Sequence, residues 1–295
     1  MLGMPIPRRA LRCLAAVLTT GTALAGISTT AAAQTGSAGA PAGGSQVTCT
    51  SRQPGLASRL AQDIAAALRG RQGTPALALY DRPTATSCTF RPDARFDSAS
   101  VVKVTVLAAL LRTSMEEHRS LTPREAALST AMITKSDNDA TSALWRQIGH
   151  KGIQRFLTLA GMQDTVLGPK GYWGRTQITA GDQLKLLRVL TSDNSVLDRN
   201  ARAYALGLMN QVVPTQRWGV PAGASDTVTT HLKNGWLPRA TNGWRVHSIG
   251  VFTGGGHDYG MVVLSHGNRS IDDGIVTIER VARVINRELP RQTAS

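Results

Sequence analysis

The run Ser98-Ala-Ser100-Val-Val-Lys103-Val-Thr-Val-Leu-Ala-Ala-Leu-Leu111 decides how the rest of this chain is read. Valine, leucine and alanine fall on nearly every side of a 3.6-residue period, which predicts a helix buried all round rather than an amphipathic one. Lys103 is its only charge. A lone ammonium on a buried helix is costly unless it is paired or neutralised. Ser100, three residues earlier, places its hydroxyl on the lysine's face. A hydroxyl beside a desolvated amine is a nucleophile with its own base. The same four residues are equally compatible with an N-cap at Ser98 or Ser100 and a lysine whose head reaches the surface. The stretch by itself leaves both readings open.

Before this helix, Leu56, Leu60, Ile64 and Leu68 recur at i,i+4 and predict a helix that ends at Gly70. Ala76–Tyr80 and Ser87–Phe90 follow as two short strands of a hairpin. After it, residues 123–160 are helical in pattern, with Pro123 suited to a first helical position and Ser136-Asp137-Asn138 marking a turn or a cap before the next helix. Gly168–Arg175 is a glycine- and aromatic-rich loop, and helices resume over Thr179–Leu190 and Val196–Asn210. Beyond Pro221 the period moves towards two. Val228–Lys233, Trp244–Phe252 and Tyr259–Ser265 predict three strands, with Gly254-Gly255-Gly256 as a hairpin turn. Ile271, Ile275, Ile278, Val281 and Ile285 form one face of a closing helix capped by Ser270. Strands at both ends and helices between them imply an α+β fold: an antiparallel sheet covered by the first and last helices, plus an all-helical lobe, with the site in the cleft between them.

Residues 1–33 have the basic start (Arg8, Arg9, Arg12), the apolar stretch and the Ala31-Ala32-Ala33 end of a secretory signal peptide, and the twin arginine leaves the export route open. Residues 34–48 are small and polar enough to predict a flexible linker, which puts the folded domain at 49–289, with an α/β lobe from 49–97 and 215–289 and a helical lobe from 98–214. The signal segment carries three arginines and no acid, so 30 basic residues face 19 acidic ones in the remainder, a formal +11. That charge suits an anionic partner such as a cell wall, or simply solubility. Nucleic acid is not expected, because aromatics are 4% of the chain and no finger or basic helix is present. No transmembrane segment is expected either. Cys49 and Cys88 are an even pair in an oxidising compartment and are expected to be disulfide-bonded. Neither a metal nor a cofactor is expected, since the six histidines show no metal-ligand spacing.

Three short patterns stand in one order: Ser100-Val-Val-Lys103 on a helix, Ser136-Asp137-Asn138 on a loop opening a helix, and Lys233-Asn234-Gly235 on a strand. In that order they resemble the motifs of the serine β-lactamases and penicillin-binding proteins, class A branch. The resemblance covers most of residues 50–289 and includes Arg217-Trp-Gly-Val-Pro221-Ala-Gly and the closing helix. It implies that Ser100 attacks a lactam or peptide carbonyl, that Lys103 accepts its proton, and that Ser136 relays a proton to the leaving nitrogen. Lys233 would tune that proton and attract a substrate carboxylate. Asn138 would hold the substrate's side-chain amide, Gly235 would let substrate lie along the strand, and the N–H groups of Ser100 and Trp236 would form an oxyanion hole. Asn234 and Arg245 would assist at the carboxylate.

The departures from that family bear on function. Asn234 stands in place of Thr or Ser, Trp236 puts a large ring beside the site, and the interval between the first two motifs is short. In class A enzymes the loop before Thr179 carries a glutamate that activates water for deacylation. Residues 165–181 here contain no Asp or Glu, and the flanking Asp164 and Asp182 read as surface or capping residues. Three functions follow from the resemblance: an exported lactam-opening serine hydrolase, a D-alanyl-D-alanine peptidase or related wall-peptide amidase, and a non-turnover protein that captures lactams or peptidoglycan. The expected partner in each is a small lactam or a D-Ala-D-Ala peptide, and the expected state is a monomer.

Overall fold

The computed structural model describes residues 35–289, so the signal peptide read at 1–33 lies outside the described residues. In chain order the elements are β1 (Gly36–Ala42), β2 (Ser45–Ser51), α1 (Leu56–Leu68), β3 (Thr74–Asp81), β4 (Thr86–Phe90), β5 (Phe96–Asp97), α2 (Val102–Glu116), α3 (Pro123–Thr134), α4 (Asn138–Leu159), β6 (Gln177–Ile178), α5 (Ala180–Thr191), α6 (Arg199–Asn210), β7 (Thr229–Leu237), β8 (Trp244–Gly254), β9 (His257–Asn268) and α7 (Ile271–Glu288). Seven strands make one antiparallel sheet in the order β1-β2-β4-β3-β9-β8-β7, and β5 pairs with β6 separately.

The sheet has two apolar faces, and the period-2 alternation of β3 assigns each residue to one of them. Ala76, Ala78 and Tyr80 face the core built with α2, joined there by Leu232, Ile249, Val262 and Leu264. Leu77 and Leu79 face the other core, with Phe252, Met261 and Val263. That second core is closed by α1 through Leu56, Leu60, Ile64 and Leu68, and by α7 through Ile278, Val281 and Ile285. Burying each of these side chains contributes roughly 1.5–3 kcal/mol. Ile271 and Ile275, at the start of α7, pack against this core only partly buried. α2 is buried on every side from Val102 to Leu111 and is the axis of the helical layer formed with α3, α4, α5 and α6.

One expectation is corrected. Of the flexible linker expected over 34–48, residue 34 lies outside the described residues, and residues 36–48 are not a linker: β1 and β2 pair along their whole length from Gly36↔Ser51 to Ala42↔Ser45. The turn between them is Gly43-Gly44, both at positive φ (48° and 72°), the pair that a two-residue hairpin with native twist requires. Ala40, Ala42 and Val47 are buried and pack in the α1 core. Small side chains that look like a linker in composition are here the inward-facing set of an edge hairpin. Cys49 and Cys88 stand directly opposite each other on β2 and β4 and form a disulfide. Among the described residues no helix is long and apolar enough to cross a membrane.

Candidate active site

α2 does not begin at the serine. Residues Ala99–Val101 form a 3-10 turn ahead of it, and no side chain caps either the turn or the helix. Ser98 is wholly buried, and its hydroxyl points to the carbonyls of Ala99 and Trp173 at 3.3 Å each. Ala99 holds φ at 46°, a left-handed conformation that costs a residue with a Cβ on the order of 1–3 kcal/mol. The turn therefore presents Ser100 to a cleft of about 850 Å³. The Ser100 hydroxyl has no hydrogen-bond partner among the described residues.

Lys103 does not reach the surface: it is 0% exposed. Its Nζ donates to the Ser136 carbonyl (2.6 Å), the Ser136 Oγ (3.0 Å) and the Asn138 Oδ1 (2.8 Å). Lys233, on β7 and also 0% exposed, donates to the same Ser136 Oγ at 3.0 Å and to the Asn234 carbonyl at 2.8 Å. Two buried amines thus share one hydroxyl oxygen. That oxygen has two lone pairs, so accepting from both leaves its own proton available to donate. Burial lowers the Lys103 amine from its ordinary value to about 8, against the opposing pull of Asp137. Burial, and then repulsion from Lys103, lowers Lys233 well below the ordinary lysine range. Ser136 itself sits at φ 57°, just before the N-cap of α4. The cap is Asp137, whose Oδ1 accepts from the Ala140 N–H at 2.7 Å. Capping and site chemistry are thus divided between adjacent residues of one motif.

β7 runs directly past the turn that carries Ser100. A Cβ on Gly235 would lie 2.8 Å from the backbone nitrogens of Ser100 and Val101 and 3.2 Å from the Ser98 carbonyl oxygen. The glycine is required by the protein's own backbone, whether or not substrate lies along the strand. Asn138 and Trp236 line the cleft.

Two other residues expected at the substrate carboxylate meet protein groups here. The Asn234 amide donates to the carbonyls of Gln216 and Trp218, both at 2.8 Å, and the residue is wholly buried. Its amide N–H groups therefore tie down the chain between α6 and β7. Arg245 is turned away from the cleft: it donates to the carbonyls of Thr241 and Gly243 and pairs with Asp97 at 3.1 Å. The turn between β7 and β8 folds back and supplies those acceptors. Arg239, from that same turn, lines the cleft in its place.

The loop between α4 and α5 forms the opposite wall. Its ends are held by Asp182, which is buried rather than at the surface and accepts from the Asp164 N–H, the Thr165 hydroxyl and Lys185. Its middle hangs on the nucleophile turn through Ser98 N–H to the Thr176 carbonyl at 2.8 Å. Trp173 leans over the site, with its ring centroid 5.0 Å from Lys103 Nζ and its indole N–H on Ser142 Oγ at 3.1 Å. Among the described residues no carboxylate lines the cleft. Trp173, Tyr172, Lys170, Arg175 and Ser142 went unread as site residues, although the glycine- and aromatic-rich composition at 168–175 was a signal that the loop carries more than a connection. Among the described residues no group of His, Cys, Asp and Glu is arranged to hold a metal ion.

A sequence profile of the Beta-lactamase enzyme family matches residues 59–125 and 124–289. LppW of Mycobacterium tuberculosis, provisionally named a lipoprotein, is 27% identical over 200 residues, which are 65% of this chain and 62% of LppW. Its Mycobacterium bovis counterpart matches to the same extent. The chain thus spans less than two thirds of the length of these relatives. Among solved structures, an ancestral class A β-lactamase superposes with a TM-score of 0.66 at 20% identity, covering 78% of this chain and 100% of the other. The β-lactamase of Sphaerobacter thermophilus gives 0.66 at 19% identity, covering 77% and 95%. At these identities the superpositions establish the fold alone. The profile covers most of the chain, and on that ground this protein belongs to the beta-lactamase enzyme family.

Proposed function

We propose that this protein is an exported serine hydrolase of the class A type that opens β-lactam amides through an acyl-enzyme on Ser100 and releases the product slowly. The observation that carries the reading is the pair of buried lysines sharing the Ser136 hydroxyl, together with a cleft that Ser100 lines and that, among the described residues, no carboxylate lines. Ser100 Oγ bonds to the lactam carbonyl carbon as its proton passes to neutral Lys103. The carbon–nitrogen bond then breaks, and the nitrogen takes a proton from Ser136, which is resupplied from Lys103. The backbone N–H groups of Ser100 and Trp236 would stabilise the oxyanion, at roughly 3–4 kcal/mol per donor. Lys233 would bind the substrate carboxylate and Asn138 its side-chain amide. Hydrolysis of the resulting ester requires an activated water, for which the loop between α4 and α5 provides no carboxylate.

Mass spectrometry of the protein after a pulse of benzylpenicillin tests the proposal. An adduct of the intact penicillin mass on the Ser100 peptide, decaying slowly, is expected. No adduct and no turnover would overturn it. A second reading, a D-alanyl-D-alanine peptidase, is favoured by the same lack of a deacylating carboxylate. Release of D-alanine from an acyl-D-alanyl-D-alanine peptide, without lactam turnover, selects it. The signal-like start of the chain and a relative named as a lipoprotein support an extracytoplasmic location.

A further inference from the structure

The charged side chains that line the cleft are all cations. Lys170 and Arg175 belong to the loop between α4 and α5, and Arg239 to the turn after β7. Lys170 and Arg175 are exposed, and among the described residues neither side chain has a hydrogen-bond or ion-pair partner. Arg239 shares the single carboxylate of Asp97 (3.4 Å) with Arg245 (3.1 Å), so that trio keeps a net positive charge. Asp97 and Asp137 are near but do not line the cleft, and Asp137 is occupied capping α4. Lys170 is moreover held at φ 52°, a conformation that favours glycine.

Under the proposed function, Lys233 and Ser136 meet one substrate carboxylate. Three further cations around a concave cleft focus a positive potential that this carboxylate does not neutralise. Tyr172, Trp173 and Trp236 add flat apolar surface beside them. We infer that the acyl donor carries a second anionic group, on the side chain of its acyl portion, bound between the loop bearing Lys170 and Arg175 and the turn bearing Arg239. This specificity rests on the serine acyl-transfer reading and goes beyond it.

Three penicillins that differ at one carbon test the inference. Benzylpenicillin has hydrogen there, carbenicillin a carboxylate and ampicillin an ammonium. The second-order rate of Ser100 acylation is expected to rank carbenicillin above benzylpenicillin above ampicillin, with about tenfold or more between the extremes at low salt. The spread should shrink as sodium chloride is raised, and should collapse towards equal rates in the Lys170→Gln/Arg175→Gln variant. Both positions are exposed, and circular dichroism checks that the variant is folded. Equal rates for all three in the wild type at low salt, with Ser100 acylated, overturn this inference alone. No acylation by any of them overturns the acyl-transfer reading and the inference with it. Peptides ending in D-alanyl-D-alanine, with glutamate or lysine before that pair, separate the sources. A matching preference for glutamate places the anion on a peptide, and a preference confined to penicillins places it on a lactam.

Discussion

Lys103 and Lys233 are both wholly buried and both donate to Ser136 Oγ. Under the proposed function Lys103 must be neutral to take the Ser100 proton, and burial lowers it to about 8. Below that pH the ammonium keeps its proton, so acylation by benzylpenicillin should fall about tenfold per pH unit and level off above. A flat pH profile from 6 to 9 would remove Lys103 from that role. Ser100→Ala should abolish labelling by a fluorescent penicillin with the thermal midpoint nearly unchanged, because the Ser100 hydroxyl has no hydrogen-bond partner among the described residues. Labelling at the wild-type rate would move the nucleophile elsewhere, although Ser98 is buried and engaged. Gly235→Ala places a methyl 2.8 Å from two backbone nitrogens of the nucleophile turn. The turn must yield, and a displacement near 1 Å at a reacting atom costs about 10² in rate. Acylation should drop by about that factor, with roughly 1–3 kcal/mol lost in stability. Unchanged acylation in this variant would mean the turn absorbs the methyl without moving Ser100.

At the scale of elements, the loop between α4 and α5 is where this protein departs from its family. The buried Asp182 anchors it, the backbone of Ser98 holds it, and its centre is aromatic and basic. General base catalysis is typically worth about 10²–10⁴ in rate. Stopped-flow measurement with a chromogenic cephalosporin should therefore show a burst of about one equivalent followed by slow turnover. Asp164→Asn should leave the slow phase unaltered, since Asp164 does not line the cleft. Fast turnover without a burst would show that another group activates water. The β1–β2 hairpin teaches a separate lesson about elements. Its strands are built from small residues, and their placement depends on a Gly-Gly turn and on the alternation of Ala40, Ala42 and Val47 into the α1 core.

For the whole molecule, the disulfide links β2 to β4 across a separation of 39 residues. Chain-entropy arguments put the stabilisation from closing a loop of that size at roughly 4 kcal/mol. Cys49→Ala/Cys88→Ala should lower the thermal midpoint by about 10 °C, read by differential scanning calorimetry. An unchanged midpoint would show that sheet pairing alone sets the stability of that edge.

Much of this molecule was legible in the chain itself, because local periodicity encodes burial. The all-round apolar run of α2, the i,i+4 faces of α1 and α7 and the alternation of β7 to β9 each state which side meets the core. The order of the three motifs carried Ser100, Lys103, Ser136 and Lys233 for the same reason, since each lies on an element with a strong local signal. What only the tertiary structure decided was the direction of long or amide side chains whose partners are distant in sequence. Asn234 meets carbonyls 16 and 18 residues away, and Arg245 meets Asp97 148 residues before it. Gly235 is constrained by the backbone of Ser100, and the site's cationic wall comes from a loop with little periodicity of its own. Periodicity reports which face of an element is buried. It carries no information about which distant carbonyl or carboxylate will be waiting there, because that is set by how the layers stack.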